Sequence, residues 1–117
     1  MRINEVMYTD ARPFDSYGDA GFRLDGSRYD GNLVVSETGV APWGGYDDLG
    51  PLLALEGEVD VILVGTGAEM GYLPAAMRLA VEAIGIGVEP MSTPSACRTY
   101  NVLLSEGRRV AAAVLAV

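Results

Sequence analysis

The chain has 117 residues, half of them hydrophobic, with 16 acidic side chains against 8 basic ones and a formal charge of −8. All eight basic residues are arginine, and neither lysine nor histidine occurs, which excludes Ser-His-Asp and Cys-His nucleophile pairs, imidazole zinc sites, Schiff-base lysines and P-loop lysines. The acidic balance also speaks against a nucleic-acid partner, whose phosphates call for a basic face.

In chain order, the first forty-odd residues are rich in Gly, Asp and aromatic residues, with short extended runs at 20–24 and 32–35 separated by Asp25-Gly26 and Asp30-Gly31. Asp-Gly between β-rich runs is a hairpin signal, so residues 20–36 are expected to form a strand, a tight turn and an antiparallel second strand, with 38–43 leading out. Asp47 or Asp48 is expected to cap a short helix through Leu49, Leu52, Leu53 and Leu55, with Pro51 in its first turn and Gly57 at its end. From Glu58 the pattern changes. Residues 59–64 are almost continuously apolar, as in a strand covered on both faces. After a loop over 65–71, apolar residues at 73, 76, 77, 80, 81 and 84 trace the stripe of an amphipathic helix ending at Gly85. Residues 86–91 read as a strand, Thr93-Pro94 opens a helix with Ala96, Cys97, Tyr100, Leu103 and Leu104 inward, and Arg109 to Val117 supplies a last strand. The second half is therefore β-α-β-α-β, the pattern of an α/β layer, and the length fits a single domain over 1–117 that buries roughly two-thirds of its unfolded surface.

The charge lies in the first half: residues 1–60 carry 4 arginines and 12 acidic residues, residues 61–117 carry 4 of each. Cys97 is the single cysteine, no charged-then-apolar leader precedes the first acidic residue, and the longest apolar runs fall short of the roughly 20 residues of a membrane-spanning helix. A cytoplasmic protein without a membrane span is expected.

Gly65-Thr66-Gly67 follows a buried strand, but a dinucleotide fingerprint starting there needs a third glycine where Met70 stands. A tight turn, or close approach of a neighbouring element, accounts for these glycines. Thr93, Ser95, Arg98 and Thr99 surround a helix N-terminus, where amides and the helix dipole favour an anion. If both loops open at one sheet edge, Gly65, Thr66, Gly67, Thr93, Ser95, Arg98 and Thr99 share a crevice for a small anion or metabolite; otherwise Thr93 caps its helix and Arg98 pairs with Glu89 or a carbonyl. Cys97 sits on the apolar stripe, where a free thiol is a small buried hydrophobe, although the nearby helix start and Arg98 leave a reactive thiol to be tested. Asp47 and Asp48 are better helix caps than metal ligands. Tyr17, Phe22, Tyr29, Trp43 and Tyr46 gather in the acidic half; most are expected to pack on strands, and Tyr17, Trp43 and Tyr46, where exposed, would make a contact face for a basic protein partner.

Gly65-Thr66-Gly67, Gly85-Ile86-Gly87-Val88-Glu89, Ala96-Cys97-Arg98-Thr99-Tyr100-Asn101 and the run from Glu106 to Ala113 together resemble the Mth938-like domain family, as do Tyr17-Gly18, Gly21-Phe22, Tyr29-x-Gly31 and Pro42-Trp43 in the front half. The resemblance implies a three-layer α/β domain with a central mixed sheet, a β-rich N-terminal half and no established enzymatic activity. It also implies kinship with a mitochondrial respiratory complex I assembly factor and an adipogenesis-associated protein. The expected function is that of a non-enzymatic accessory or assembly protein binding another protein, with respiratory complex I assembly as the setting the resemblance suggests and with no catalytic residue, metal or cofactor; the alternative is the anion or metabolite crevice.

Overall fold

The computed structural model describes residues 12–117; the expectation that no leader opens the chain concerns residues outside them. Strands β6 (Val61–Gly65), β7 (Gly87–Met91) and β8 (Val110–Val114) run parallel, with β6 between the other two. Strand β4 (Leu33–Ser36) joins β8 antiparallel and β5 (Gly39–Pro42) closes that side, so the sheet is mixed, in the order β5-β4-β8-β6-β7. A second sheet contains β1 (Phe14–Gly18), β2 (Gly21–Leu24) and β3 (Ser27–Asp30), all antiparallel. Three helices complete the described chain: α1 (Gly50–Leu53), α2 (Ala75–Glu82) and α3 (Thr93–Ser105).

Alternation along the central strands creates two cores. Ile62, Val64, Ala111 and Ala113 face a layer containing Trp43, Leu52, Met77 and Val81. Leu63, Val110, Ala112 and Val114 face α3 and the three-stranded sheet through Tyr100, Cys97, Phe14 and Phe22. Successive residues of one strand point to opposite faces, which is why these strands are apolar at every position. The alanines of β8 keep the middle of the sheet thin, and bulky side chains from the outer layers fill the space. Phe14 stands edge-on to both Phe22 and Tyr100, at centroid distances of 5.6 and 5.5 Å, the geometry favoured by aromatic quadrupoles.

The layered α/β architecture and its mixed sheet agree with the sequence expectation. The front half differs. The Asp25-Gly26 hairpin joins β2 to β3, whereas β4 leaves that sheet altogether and pairs with β5 and β8. Leu33, Val34 and Val35 are all buried, so this run needs cover on both sides and only the central sheet supplies it. Strand β1 is not expected from the sequence: its burial pattern, one buried residue, three exposed ones and a half-buried glycine, leaves little apolar signal. Two asparagines fasten the front half to the back. Asn101 on α3 accepts from the Phe14 amide (2.8 Å) and donates to the Phe14 carbonyl (2.9 Å), standing in for a neighbouring strand at the edge of β1. Asn32 Oδ1 accepts from Ala116 N at 2.7 Å, and its carbonyl accepts from Trp43 N at 3.0 Å. Replacing Asn101 by alanine leaves both Phe14 backbone groups unpaired; the Asn101→Ala protein is expected to lose about 2 kcal/mol of stability, read by urea denaturation, with faster hydrogen exchange at the Phe14 amide.

Candidate functional site

The turn after β6 and the start of α3 lie against each other. Gly65 needs its missing side chain: a Cβ there would fall 2.8 Å from Thr93 Oγ1 and 2.9 Å from both Thr93 Cα and Val114 Cγ1. Gly67 needs its backbone freedom, with φ at +107°, a region that side chains disfavour. Thr93 is fully buried between them. Its amide donates to Gly67 O (2.7 Å), and its hydroxyl accepts from Gly67 N (3.0 Å) and donates to Leu115 O (2.7 Å). Two loops and the end of β8 are thereby joined at one buried hydroxyl.

This arrangement changes the roles expected from the sequence. Thr93 does not cap α3; Ser92 does, its hydroxyl accepting from Ser95 N at 3.3 Å. Ser95 Oγ in turn accepts from Ser92 Oγ (3.1 Å) and from Arg98 Nη2 (3.4 Å). The groups expected to receive an anion thus hydrogen-bond one another, with Arg98 exposed, Thr99 half-buried and Pro94 offering no amide. Thr66 also turns inward to its own loop: its hydroxyl donates to Glu69 O (2.7 Å) and accepts from Gly71 N (2.8 Å).

The Ala-Cys-Arg-Thr-Tyr-Asn run divides by helix face. Ala96, Cys97 and Tyr100 are buried, Arg98 points outward and Asn101 grips β1. Burial pushes the Cys97 thiol up to about 12, against a weaker downward pull from the Arg98 charge. Because the thiolate is the nucleophile, this shift disfavours reaction at neutral pH. Burial raises Tyr100 as well, reinforced by Glu37, and its hydroxyl has no hydrogen-bond partner among the described residues.

The expected aromatic face is also redistributed. Trp43 is buried, at 4% exposure, and its indole donates to Asp48 O at 3.0 Å; it is a core residue and cannot meet a partner. Tyr46 is half-buried against it, with ring centroids 6.1 Å apart, and Tyr17 alone of the three is exposed. Asp48 caps no helix: α1 starts at an N-cap Leu49 without a side-chain bond, and the Asp48 carboxylate accepts from Gly44 N at 2.8 Å to close the 43–48 loop. Among the described residues no group of three or more metal-ligating side chains converges. The surface residues missed from the sequence are Met70 and Tyr72, 55% and 93% exposed, on the loop that Thr66 ties down. The available signal was an aromatic residue between Gly71 and Pro74, outside the apolar stripe of α2. That helix also turns Leu79, Ala75, Ala76 and Ala83 to solvent.

Two outcomes follow from the buried groups. Thr93→Val keeps the shape but strands Gly67 N and Leu115 O, and is expected to lower stability by about 2–3 kcal/mol in urea denaturation. The folded protein holds the Cys97 proton more tightly than the unfolded chain, whose thiol titrates at its ordinary value near 9. Its stabilising contribution is full below about pH 9 and is lost progressively as pH rises towards 12. Native protein should resist iodoacetamide at neutral pH until unfolded, and Cys97→Ala should reduce the alkaline fall in stability; alkylation at the rate of a free thiol contradicts this.

Residues 14–115 match the family described as a protein of unknown function (DUF498/DUF598). An uncharacterised protein of Rhodobacter capsulatus is 48% identical over 115 residues, covering 98% of this chain and 93% of that protein. NADH dehydrogenase (ubiquinone) 1 alpha subcomplex assembly factor 3 of Bos taurus is 34% identical over 108 residues, 86% of this chain, and the match spans 59% of the assembly factor's own length. Among solved structures, an outer membrane protein from Bartonella henselae has a TM-score of 0.84 at 34% identity, covering 91% of this chain and 95% of the other. A Mth938-like domain from Bordetella pertussis has a TM-score of 0.75 at 29% identity, covering 92% and 87%. No helix among the described residues is long and apolar enough to cross a membrane. With a family match over almost all of the described residues and the same layered fold in its solved relatives, the chain belongs to the DUF498/DUF598 family and has the Mth938-like fold.

Proposed function

We propose that the chain is a single-domain cytoplasmic accessory protein that binds another protein during the assembly of a respiratory NADH dehydrogenase. Kinship with assembly factor 3 supports the assembly role at a coarse level. The observation that carries a binding surface is Tyr72, 93% exposed on a loop held by two hydrogen bonds to Thr66 Oγ1. Aromatic residues and methionine are enriched at protein interfaces, and a side chain displayed on an already ordered loop loses less freedom on binding than one on a slack segment. Met70 beside it and the exposed Leu79 of α2 extend that surface along the same stretch of chain. An unpaired, buried Cys97 is compatible with a reducing compartment.

The test is affinity capture of the tagged protein from its native cell, with subunits of the dehydrogenase expected among the captured proteins. Replacing Met70 and Tyr72 together by alanine should reduce capture at least about fivefold while changing folding stability by less than about 0.5 kcal/mol. Undiminished capture by the double variant rules out this surface, and capture without any dehydrogenase subunit rules out the assembly role.

A further inference from the structure

A separate groove of about 300 Å³ lies between strand β5 and helix α1. Val34, Pro51 and Leu55 supply apolar walls, and Thr38 and Glu58 supply a polar end. The Thr38 hydroxyl donates to one Glu58 carboxylate oxygen at 3.3 Å. No arginine among the described residues pairs with Glu58: the nearby Arg109 guanidinium is held by Asp60 (3.4 Å) and by the Gly57 carbonyl (3.1 Å). The volume is at the low end for a metabolite pocket but ample for one long side chain.

The groove borders an open sheet edge. Among the described residues, strand β5 ends the five-stranded sheet and pairs with β4 alone. Trp43 N donates to Asn32 O, so Gly39, Ala41 and Trp43 turn their backbone groups towards β4, and alternation turns those of Val40 and Pro42 outward. Val40 offers both an N–H and a C=O, and Pro42 offers a C=O alone. An added strand can therefore make three main-chain hydrogen bonds here. Residues directly opposite one another share a face of a sheet, so the added residue facing Val40 points to the α3 side, whereas the one facing Ala41 points over the groove.

We propose that this edge and groove together bind an extended peptide segment of a partner protein, with an arginine or lysine opposite Ala41. Its aliphatic stem would lie on Pro51 and Leu55 and its charge at the Glu58 carboxylate. This is strand addition, in which main-chain bonds give affinity and a side-chain pocket gives specificity, and a long basic side chain buries its stem while its charge stays near water. Charge selects the occupant: a second copy of this chain, at −8, would bring its own Glu58 to the same edge, whereas a basic segment is attracted. The proposal deepens the protein-binding reading above and rests on it, but at a surface remote in sequence from Met70 and Tyr72.

The test uses the full chain, isotope-labelled for amide NMR, and three blocked nonapeptides of alternating threonine and valine: one with a central arginine, one with citrulline in its place, and the arginine peptide N-methylated at the two residues flanking the centre. The arginine peptide should produce saturable shifts at residues 38–41 and 54–58. Citrulline, or Glu58→Gln in the protein, should weaken binding about threefold, N-methylation should abolish it, and added salt should weaken it. Shifts confined to the Met70 loop, no saturable shift, equal binding of all three peptides, or concentration-dependent shifts of Val40 without peptide overturn the proposal, the last by showing a second copy at the edge. Peptide binding of the expected kind with no dehydrogenase subunit captured from cells removes the assembly role and leaves the groove; capture unaffected by Glu58→Gln and by excess arginine peptide does the reverse.

Discussion

One buried hydroxyl holds together segments that are distant in sequence. Thr93 Oγ1 accepts from Gly67 N and donates to Leu115 O, linking the turn after β6, the first turn of α3 and the end of β8. The position calls for a small side chain with a hydroxyl. Valine would leave two backbone groups unpaired, and Gly65 must stay without a side chain, because a Cβ there would fall 2.8 Å from Thr93 Oγ1. A buried polar group is tolerated only when its bonds are completed, and here both lone pair and proton are used. The consequence reaches the surface: with Gly67 anchored and Thr66 bonded to Glu69 and Gly71, the loop carrying Met70 and Tyr72 is held at both its base and its middle.

The same economy runs through the Ala-Cys-Arg-Thr-Tyr-Asn run. Ala96, Cys97 and Tyr100 fill the core, Asn101 clamps β1, and Arg98 braces the Ser92–Ser95 cap. These residues secure α3 and the front sheet, while the buried Tyr100 Oη has no hydrogen-bond partner among the described residues. The Cys97 thiol is buried, and burial raises it to about 12, which disfavours the thiolate. The two surfaces proposed for recognition are the tied loop beside Leu79 and the edge of β5 with an acidic groove beside it.

The back half of the chain was legible because period and punctuation agreed. Apolar runs of strand length, an i, i+3, i+4 stripe, and glycines at 85 and 107, with φ of +85° and +77°, all point to the same elements. The front half was harder because its strands are four or five residues long and two successive Asp-Gly steps look alike, yet one turns a hairpin and the other passes the chain to a different sheet. Only the burial of three consecutive residues, Leu33 to Val35, separates them, and that depends on tertiary packing. The close approach of Gly65 was anticipated from residue type alone. What local reasoning could not supply was which polar groups find each other: Asp48 with Gly44, Ser92 in place of Thr93 as the cap, and the buried indole of Trp43 with the Asp48 carbonyl. Each is a choice among near-equal local partners that only the folded chain decides.

The central claim is that the loop of Met70 and Tyr72 meets another protein. Site-specific photo-crosslinking in the native cell, with a benzophenone side chain at position 72 and a control at exposed Asp47, tests it most directly. The account predicts one dominant adduct at position 72 containing a subunit of the respiratory dehydrogenase, and little at position 47. Equal adducts at the two positions, or none at 72, would contradict it.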